Sequence, residues 1–248
     1  MNRIQAFAAA PEVHVGSELS PLEQPGLGLF APVRGENPCA FFAPQHYESN
    51  YAYPLLVWLH GPGDDENHLK RIMPLVSMRN YVGAALRGTV EVESSHGRPG
   101  YSWSQSRSHV ASAEQRVFEV IEMAQDRYHL ASRRVFLAGF DVGGTMAFRL
   151  AMSHPDRFAG VLSLGGEFPT GRMPLLRLAE ARRVPVFLAC GRESQKLPTS
   201  TVCENLKLFH SAGMHVSVRQ YPGGHQMSPL MLADMDRWIM EQVTSSPR

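Results

Sequence analysis

The stretch from Val135 to Gly144, V-F-L-A-G-F-D-V-G-G, constrains the fold more than any other part of the chain. Its apolar start predicts a buried parallel strand. A turn flanked by glycines follows, and a helical pattern then continues to Ser153. A strand, a glycine-flanked turn and a helix in this order are typical of a nucleophile elbow, which presents one side chain above a sheet at the start of a helix. The residue at the centre of this turn is Asp141.

Apolar stretches typical of strands alternate with amphipathic stretches typical of helices over most of the chain. Val184–Cys190 and His215–Gln220 are among the predicted strands, and Val110–Tyr128 and Ser228–Val243 are among the predicted helices. This alternation predicts an α/β fold with a mostly parallel, doubly wound sheet and helices on both faces. We expect residues 1–248 to form one domain, because this length suits a single large core.

Three segments outside these elements shape the expected surface. Residues 1–37 are rich in proline and glycine, which predicts an irregular arm or short antiparallel edge strands. Gly88–Ser108 is predicted to be a long polar loop, with Tyr101 and Trp103 as walls of a pocket beyond the carboxyl ends of the strands. Only about twenty residues separate the predicted strand that ends near Leu164 from the next one. We therefore expect no separate cap domain and an open, shallow pocket.

Composition and charge narrow the classes of partner. A formal net charge of +1 gives no indication of binding to nucleic acid or to an anionic membrane. No run approaches the roughly 18 apolar residues of a membrane span, and no secretory signal is evident. The 3 cysteines lack metal-ligand spacing and are expected as reduced thiols in a cytoplasmic protein. We find no phosphate-binding loop or dinucleotide motif and expect neither a metal nor a cofactor.

The chain resembles the phospholipase/carboxylesterase family of α/β-hydrolases, which includes the acyl-protein thioesterases. The matching stretches follow the family's order; they are Leu55–Asn67, Pro99–Trp103, Val135–Leu164, Cys190–Pro198 and Gly223–His225. The resemblance implies an α/β-hydrolase fold and hydrolysis of carboxylic esters. It also implies a serine nucleophile at the turn, a histidine base oriented by an aspartate, and two backbone N–H donors that form an oxyanion hole.

Three positions depart from the pattern that this resemblance implies. Asp141 stands in place of the nucleophilic serine, Ser194 in place of the aspartate, and Pro62 in place of an oxyanion donor, since proline has no N–H. His225 matches the family's base, and the amide of Val142 remains as the second oxyanion donor. Together the departures predict degenerate ester-hydrolysing machinery, so that activity is lost, weak or altered.

Two further questions stay open from the residues alone. Glu193 precedes Ser194 and is a candidate to orient His225, with Glu167 as a weaker one. Asp141 has a simpler alternative, in which its carboxylate only caps the following helix and interacts with the helix dipole.

These observations lead to three hypotheses about function. The first is a pseudoenzyme that binds a small acyl or aromatic ligand, lined by Tyr101, Trp103 and Met227. The second is a hydrolase of the dehalogenase or epoxide-hydrolase type, in which Asp141 attacks sp3 carbon and His225 activates water against the resulting ester. The third is a slow residual ester or thioester hydrolase in which the same two residues activate water directly. The sequence leaves the oligomeric state open, a homodimer included.

Overall fold

The structure, a computed structural model, describes residues 29–93, 99–169 and 177–245. Ten strands and six α-helices lie in these ranges. In chain order the strands are β1 (Phe30–Val33), β2 (Cys39–Phe42), β3 (Tyr53–Leu59), β4 (Val82–Leu86), β5 (Val90–Val92), β6 (Gly100–Ser102), β7 (Leu130–Phe140), β8 (Gly160–Leu164), β9 (Val186–Gly191) and β10 (Val216–Tyr221). The helices are α1 (Leu69–Val76), which a 3₁₀ turn over Glu66–His68 precedes, α2 (Arg107–Arg127), α3 (Val142–Ser153), α4 (Leu178–Ala181), α5 (Thr199–Ser211) and α6 (Pro229–Thr244).

The main sheet is mostly parallel, as the sequence predicts. Its strand order is β1-β2-β4-β3-β7-β8-β9-β10, and every pair from β4 to β10 is parallel. β1 and β2 add two antiparallel pairings at one edge. Helices α2, α3 and α5 supply side chains to the core on one face of this sheet, and α1 and α6 supply those on the other face. The chain therefore has the doubly wound α/β architecture that its sequence pattern predicts, in the form of the α/β-hydrolase fold that the family resemblance implies.

The central strand β3 shows why an uninterrupted apolar run is required here. Leu55, Val57 and Leu59 belong to the core cluster on one face, whereas Leu56 and Trp58 belong to the cluster on the other. Successive side chains of a strand point to opposite faces. Because helices cover both faces, every position of β3 is buried, and the alternation of apolar and polar residues seen in one-sided sheets disappears.

The prediction of a long polar loop over Gly88–Ser108 is wrong in part. β5 and β6 pair antiparallel within it, and α2 already begins at Arg107. Tyr101 in β6 also bonds to the loop that follows β3, since its N–H donates to Asp64 O and its carbonyl accepts from Gly63 N–H, both at 2.9 Å. These strands of three residues depend on pairing partners distant in sequence, so local periodicity gave no sign of them.

Two other expectations fall partly outside the described residues. Of the predicted arm over residues 1–37, the structure describes only positions 29–37, where β1 forms the antiparallel edge. Between β8 and β9, where no cap domain is expected, the described residues contain only the short helix α4. None of the helices that the structure describes is both long enough and apolar enough to cross a membrane.

Acid is expected to weaken the fold through His68, a buried residue at the end of the 3₁₀ turn that precedes α1. Its Nδ1 accepts a hydrogen bond from Trp58 Nε1 at 3.3 Å. Burial lowers the pKa of His68 to about 4, against the opposing influence of Asp64. Below pH 6.5 the unfolded chain therefore binds a proton that folded His68 does not, and this difference in pKa should cost about 2 kcal/mol of stability at pH 5. Urea unfolding at pH 7.5 and pH 5.0 measures this loss.

The matched variant for this experiment is His68→Gln, which keeps an acceptor for Trp58 but does not titrate. We expect the variant to lose less stability than the wild type between the two pH values. Equal losses in both proteins would contradict the assignment of the acid sensitivity to His68.

Candidate active site

The turn between β7 and α3 places Asp141 in a backbone conformation that side chains rarely adopt. Its φ of 52° and ψ of −125° make it one of two non-glycine residues with positive φ among those described. Such a conformation costs about 1–3 kcal/mol and persists only where the surroundings impose it. A Cβ at Gly139 would lie 2.5 Å from Gly143 C, and one at Gly143 would lie 2.3 Å from Leu59 O. The glycines on either side of the turn are therefore required by close backbone contacts.

The carboxylate of Asp141 lies at the centre of a small polar cluster. Its Oδ2 is 2.8 Å from Lys196 Nζ and 3.0 Å from His225 Nε2. The Asp141 and His225 side chains are 12% and 14% exposed, whereas that of Lys196 is 59% exposed. Within the described part of the chain, Oδ1 makes no polar contact. One carboxylate oxygen thus faces two basic groups, and the other is left for solvent or a ligand.

The Asp141 side chain does not cap α3 through a hydrogen bond. Asp141 is the N-cap residue of α3 by position, yet its side chain accepts no hydrogen bond from the helix. The carboxylate is turned toward Lys196 and His225 instead.

His225 lies between Asp141 and Ser194. Its Nδ1 is 3.0 Å from Ser194 Oγ, which also accepts the N–H of Leu197 at 3.1 Å. Its Nε2 is 3.0 Å from Asp141 Oδ2, although the geometry is not that of an aligned hydrogen bond. The structure thus brings together Asp141, His225 and Ser194 with the carboxylate and the hydroxyl in the reverse of the order that the family resemblance implies.

Neither glutamate considered as an orienting group contacts His225 among the described residues. Glu193 is exposed, and its backbone N–H donates to Gly223 O at 2.9 Å. Glu167 is exposed as well and lines a cavity beside the site. Ser194 occupies the position at Nδ1 because the loop after β9 turns its side chain inward and leaves Glu193 in solvent.

Lys196 is a site residue that sequence analysis did not predict. It lies in the loop between β9 and α5, two positions after Ser194, in a run of polar residues that is typical of a solvated loop. Electrostatics offered the sequence signal that could have identified Lys196. An aspartate presented above a sheet needs a counter-charge, and Lys196 is a cation in the loop expected to face it.

The loop after β3 lacks the donor that an oxyanion hole would need there. Pro62 is exposed and has no N–H, and the next amide, that of Gly63, donates to Tyr101 O at 2.9 Å. Val142 is the first residue of α3, so its amide belongs to the group that has no acceptor within the helix. Oxyanion stabilisation at this site would therefore depend on the amide of Val142.

Buried His60 fixes the position of that loop. Its Nε2 accepts the N–H of Gly88 at 2.9 Å, its Nδ1 lies 2.7 Å from Gly61 O, and its carbonyl accepts from Trp103 Nε1 at 3.0 Å. Burial lowers the pKa of His60, which keeps the ring neutral. Trp103 is 3% exposed and supports the loop from within the core, whereas an open pocket wall was expected of it.

The other two expected pocket residues also have structural contacts. The Tyr101 ring lies 4.5 Å beneath the Arg87 guanidinium, which also donates to the Tyr101 hydroxyl at 3.3 Å. Met227 is half-buried and packs against the core on the α6 face.

A narrow cavity of about 20 Å³ lies next to the cluster, beneath α5. Its apolar walls are Phe148, Phe168, Leu188, Leu197, Val202 and Phe209. This volume has room for about one water molecule. A larger ligand would require these side chains to move. Among the described residues there is no group of three or more His, Cys, Asp or Glu side chains that could hold a metal ion.

Comparison with solved structures supports the fold. The carboxylesterase of Mesorhizobium loti is 18% identical, covers 82% of this chain and 94% of its own, and superposes with a TM-score of 0.67. The carboxylesterase of Bacillus cereus is 17% identical and covers 84% of this chain and 96% of its own, with a TM-score of 0.64. SOBER1 of Arabidopsis thaliana is 20% identical and covers 78% of this chain and all of its own, with a TM-score of 0.61.

Comparison of sequences shows the family. A putative esterase, NocK of Nocardia uniformis subsp. tsuyamanensis, is 32% identical over 183 residues, which is 64% of this chain. The match covers 52% of NocK, so the chain spans about half the length of this relative. The family model described as Phospholipase/Carboxylesterase matches residues 98–242, more than half of the chain. The protein is therefore a member of the phospholipase/carboxylesterase family of α/β-hydrolases.

Proposed function

We propose that this chain has lost the serine route to ester hydrolysis and carries an aspartate-centred site in its place. The observation that carries the proposal is the position of Asp141, whose Oδ2 contacts both Lys196 and His225. A carboxylate that attacked an ordinary ester would form a mixed anhydride and expel an alkoxide, which is an unfavourable exchange. The family's acyl-enzyme intermediate is therefore not expected on Asp141.

The remaining machinery supports the same proposal. The Nδ1 of His225 faces the hydroxyl of Ser194, which cannot stabilise an imidazolium as a carboxylate does. Pro62 removes one oxyanion donor, which costs a working acyl-transfer enzyme about 3–4 kcal/mol of transition-state stabilisation. Because the departures at Asp141, Ser194 and Pro62 all affect the same ester-hydrolysing mechanism, the chain is a candidate pseudoenzyme toward esters.

A steady-state assay on p-nitrophenyl acetate and p-nitrophenyl butyrate tests this proposal. We expect hydrolysis by the wild type to equal that of a His225→Ala variant, because neither protein can form the acyl-serine intermediate. Turnover by the wild type that far exceeds turnover by His225→Ala would overturn the proposal. Modest turnover that disappears in both Asp141→Asn and His225→Ala would instead support slow hydrolysis by a directly activated water.

A second candidate function retains covalent chemistry at Asp141. The Oδ1 of Asp141 has no polar contact among the described residues, and His225 lies within 3.0 Å of Oδ2. This arrangement suits a hydrolase in which Asp141 attacks the sp3 carbon of an alkyl halide or epoxide and His225 then activates water against the enzyme ester. Mass spectrometry of an intact His225→Gln variant, in which the ester is not hydrolysed, would detect it, and the absence of any adduct with alkyl halides and epoxides would exclude the second candidate.

The ligand that we propose is small and acyl or aromatic. The apolar walls of the neighbouring cavity, such as Phe148 and Phe209, support this choice only if these side chains move apart, because the cavity has room for about one water molecule. We assign no cofactor or nucleic-acid partner, and a homodimer stays open. Cys39, Cys190 and Cys203 are free thiols, which supports a cytoplasmic location for the protein.

A further inference from the structure

Lys196 supplies a proton donor, which the opening of an epoxide by an aspartate nucleophile requires. Attack on an epoxide leaves an alkoxide, which must be protonated as it forms. The two aromatic side chains expected as pocket walls, Tyr101 and Trp103, contact other groups. Trp103 Nε1 donates to His60 O at 3.0 Å, and the Tyr101 hydroxyl lies against the Arg87 guanidinium, which donates to it at 3.3 Å. The Lys196 ammonium is an N–H donor within 2.8 Å of the nucleophilic carboxylate.

We propose that Lys196 is the catalytic acid of this site and that its substrates are epoxides. This inference rests on the second candidate function above. In the first step Asp141 Oδ1 forms a bond to an epoxide carbon, the C–O bond of the ring breaks, and the ring oxygen takes a proton from Lys196 Nζ. In the second step a water activated by His225 attacks the ester, which releases a diol and returns the Asp141 carboxylate. Lys196 regains its proton from solvent, so the net reaction is addition of water to the epoxide.

The geometry couples the two steps through charge. Before the reaction Lys196 and His225 both contact Oδ2, which leaves Oδ1 for the attack. Esterification neutralises Asp141, so the ammonium loses its counter-charge while negative charge grows on the ring oxygen. The proton of the Lys196 ammonium is therefore transferred to the ring oxygen, where negative charge develops. The Lys196 side chain is 59% exposed, which allows it to follow that oxygen.

A matched pair of probes separates acid catalysis from a merely electrostatic role. 1,2-Epoxyhexane needs a proton for its leaving oxygen, whereas 1-bromohexane releases bromide without one. Both are incubated with the full chain in a His225→Gln background, where water activation is removed and the ester on Asp141 accumulates. Mass spectrometry of the intact protein and of its peptides measures the rate of adduct formation at Asp141.

We expect Lys196→Met to lower the rate of adduct formation by 1,2-epoxyhexane about 100-fold or more, the usual contribution of general acid catalysis. The rate with 1-bromohexane should change by less than about 5-fold, because its leaving group needs no proton. Lys207→Met, at an exposed lysine of the neighbouring helix α5, is the control and should leave both rates unchanged.

Two other results would overturn the inference in distinguishable ways. An equal loss with both probes would show that Lys196 acts only on the reactivity of Asp141, and the second candidate function would survive without an acid. The absence of any adduct at Asp141 with either probe, in the background that retains Lys196, would remove the second candidate function and the inference together.

Discussion

Ester hydrolysis should rise by about 100-fold or more when the residues at positions 141 and 194 are exchanged, as Asp141→Ser with Ser194→Asp. In the wild type, His225 Nε2 lies 3.0 Å from Asp141 Oδ2 and His225 Nδ1 lies 3.0 Å from Ser194 Oγ. The double variant would therefore place a hydroxyl at Nε2 and a carboxylate at Nδ1. The carboxylate can also accept the Leu197 N–H that Ser194 now accepts at 3.1 Å. Initial rates with p-nitrophenyl acetate measure the gain.

The single variants show why both changes are needed. Asp141→Ser alone restores the nucleophile but leaves the imidazolium of His225 without a carboxylate, and in serine hydrolases the loss of that group costs about 10⁴-fold in rate. Ser194→Asp alone supplies the carboxylate without a nucleophile. We therefore expect the two effects to be strongly non-additive.

Pro62→Ala in the double variant tests the third departure separately. It returns a backbone N–H to the loop after β3, and one oxyanion donor contributes about 10²–10³-fold in rate. His225→Ala in the triple variant is the control and should abolish the gain. If the triple variant hydrolyses no faster than the wild type, the site is closed to esters for a reason other than these three residues.

The largest effect on stability is expected from Arg87→Met, at about 3–5 kcal/mol of unfolding free energy. Arg87 bonds both oxygens of Glu66, with Nε 2.8 Å from Oε2 and Nη2 2.6 Å from Oε1. These hydrogen bonds raise the pKa of Arg87. The Glu66 side chain is only 5% exposed, so without the guanidinium it would be a buried charge that has no counter-ion.

The double variant Glu66→Leu with Arg87→Met separates this penalty from the net worth of the ion pair. Replacing both members of a buried pair by apolar residues is often neutral, so we expect its unfolding free energy to lie within about 1 kcal/mol of the wild type. Urea denaturation of the three proteins measures both differences. If Arg87→Met is as stable as the double variant, water reaches the Glu66 carboxylate and replaces the lost guanidinium.

Most of the fold follows from the sequence because its determinants are local. The apolar runs of β3 and β7 and the glycines around Asp141 are read directly from the chain. The strands β5 and β6 are not, since they exist only through pairing with each other and with Gly63 and Asp64.

The site follows from the sequence only in part, for a similar reason. Family order was enough to propose Asp141 and His225, which the structure brings within 3.0 Å of each other. The contacts of Lys196 and Ser194 depend on how the loop after β9 folds back over the sheet. No local pattern encodes which side chain of such a loop turns inward, so Glu193 was as reasonable a candidate as its neighbours.

The unusual backbone at Asp141 does not depend on the aspartate. It is imposed by the approach of Gly139 and Gly143 to each other and to the chain after β3, and a serine or an aspartate would be presented in the same direction. New chemistry in this protein can therefore arise through point substitutions that leave the scaffold in place. A directed-evolution library confined to positions 141, 194 and 196 would sample the accessible activities without any change in chain length.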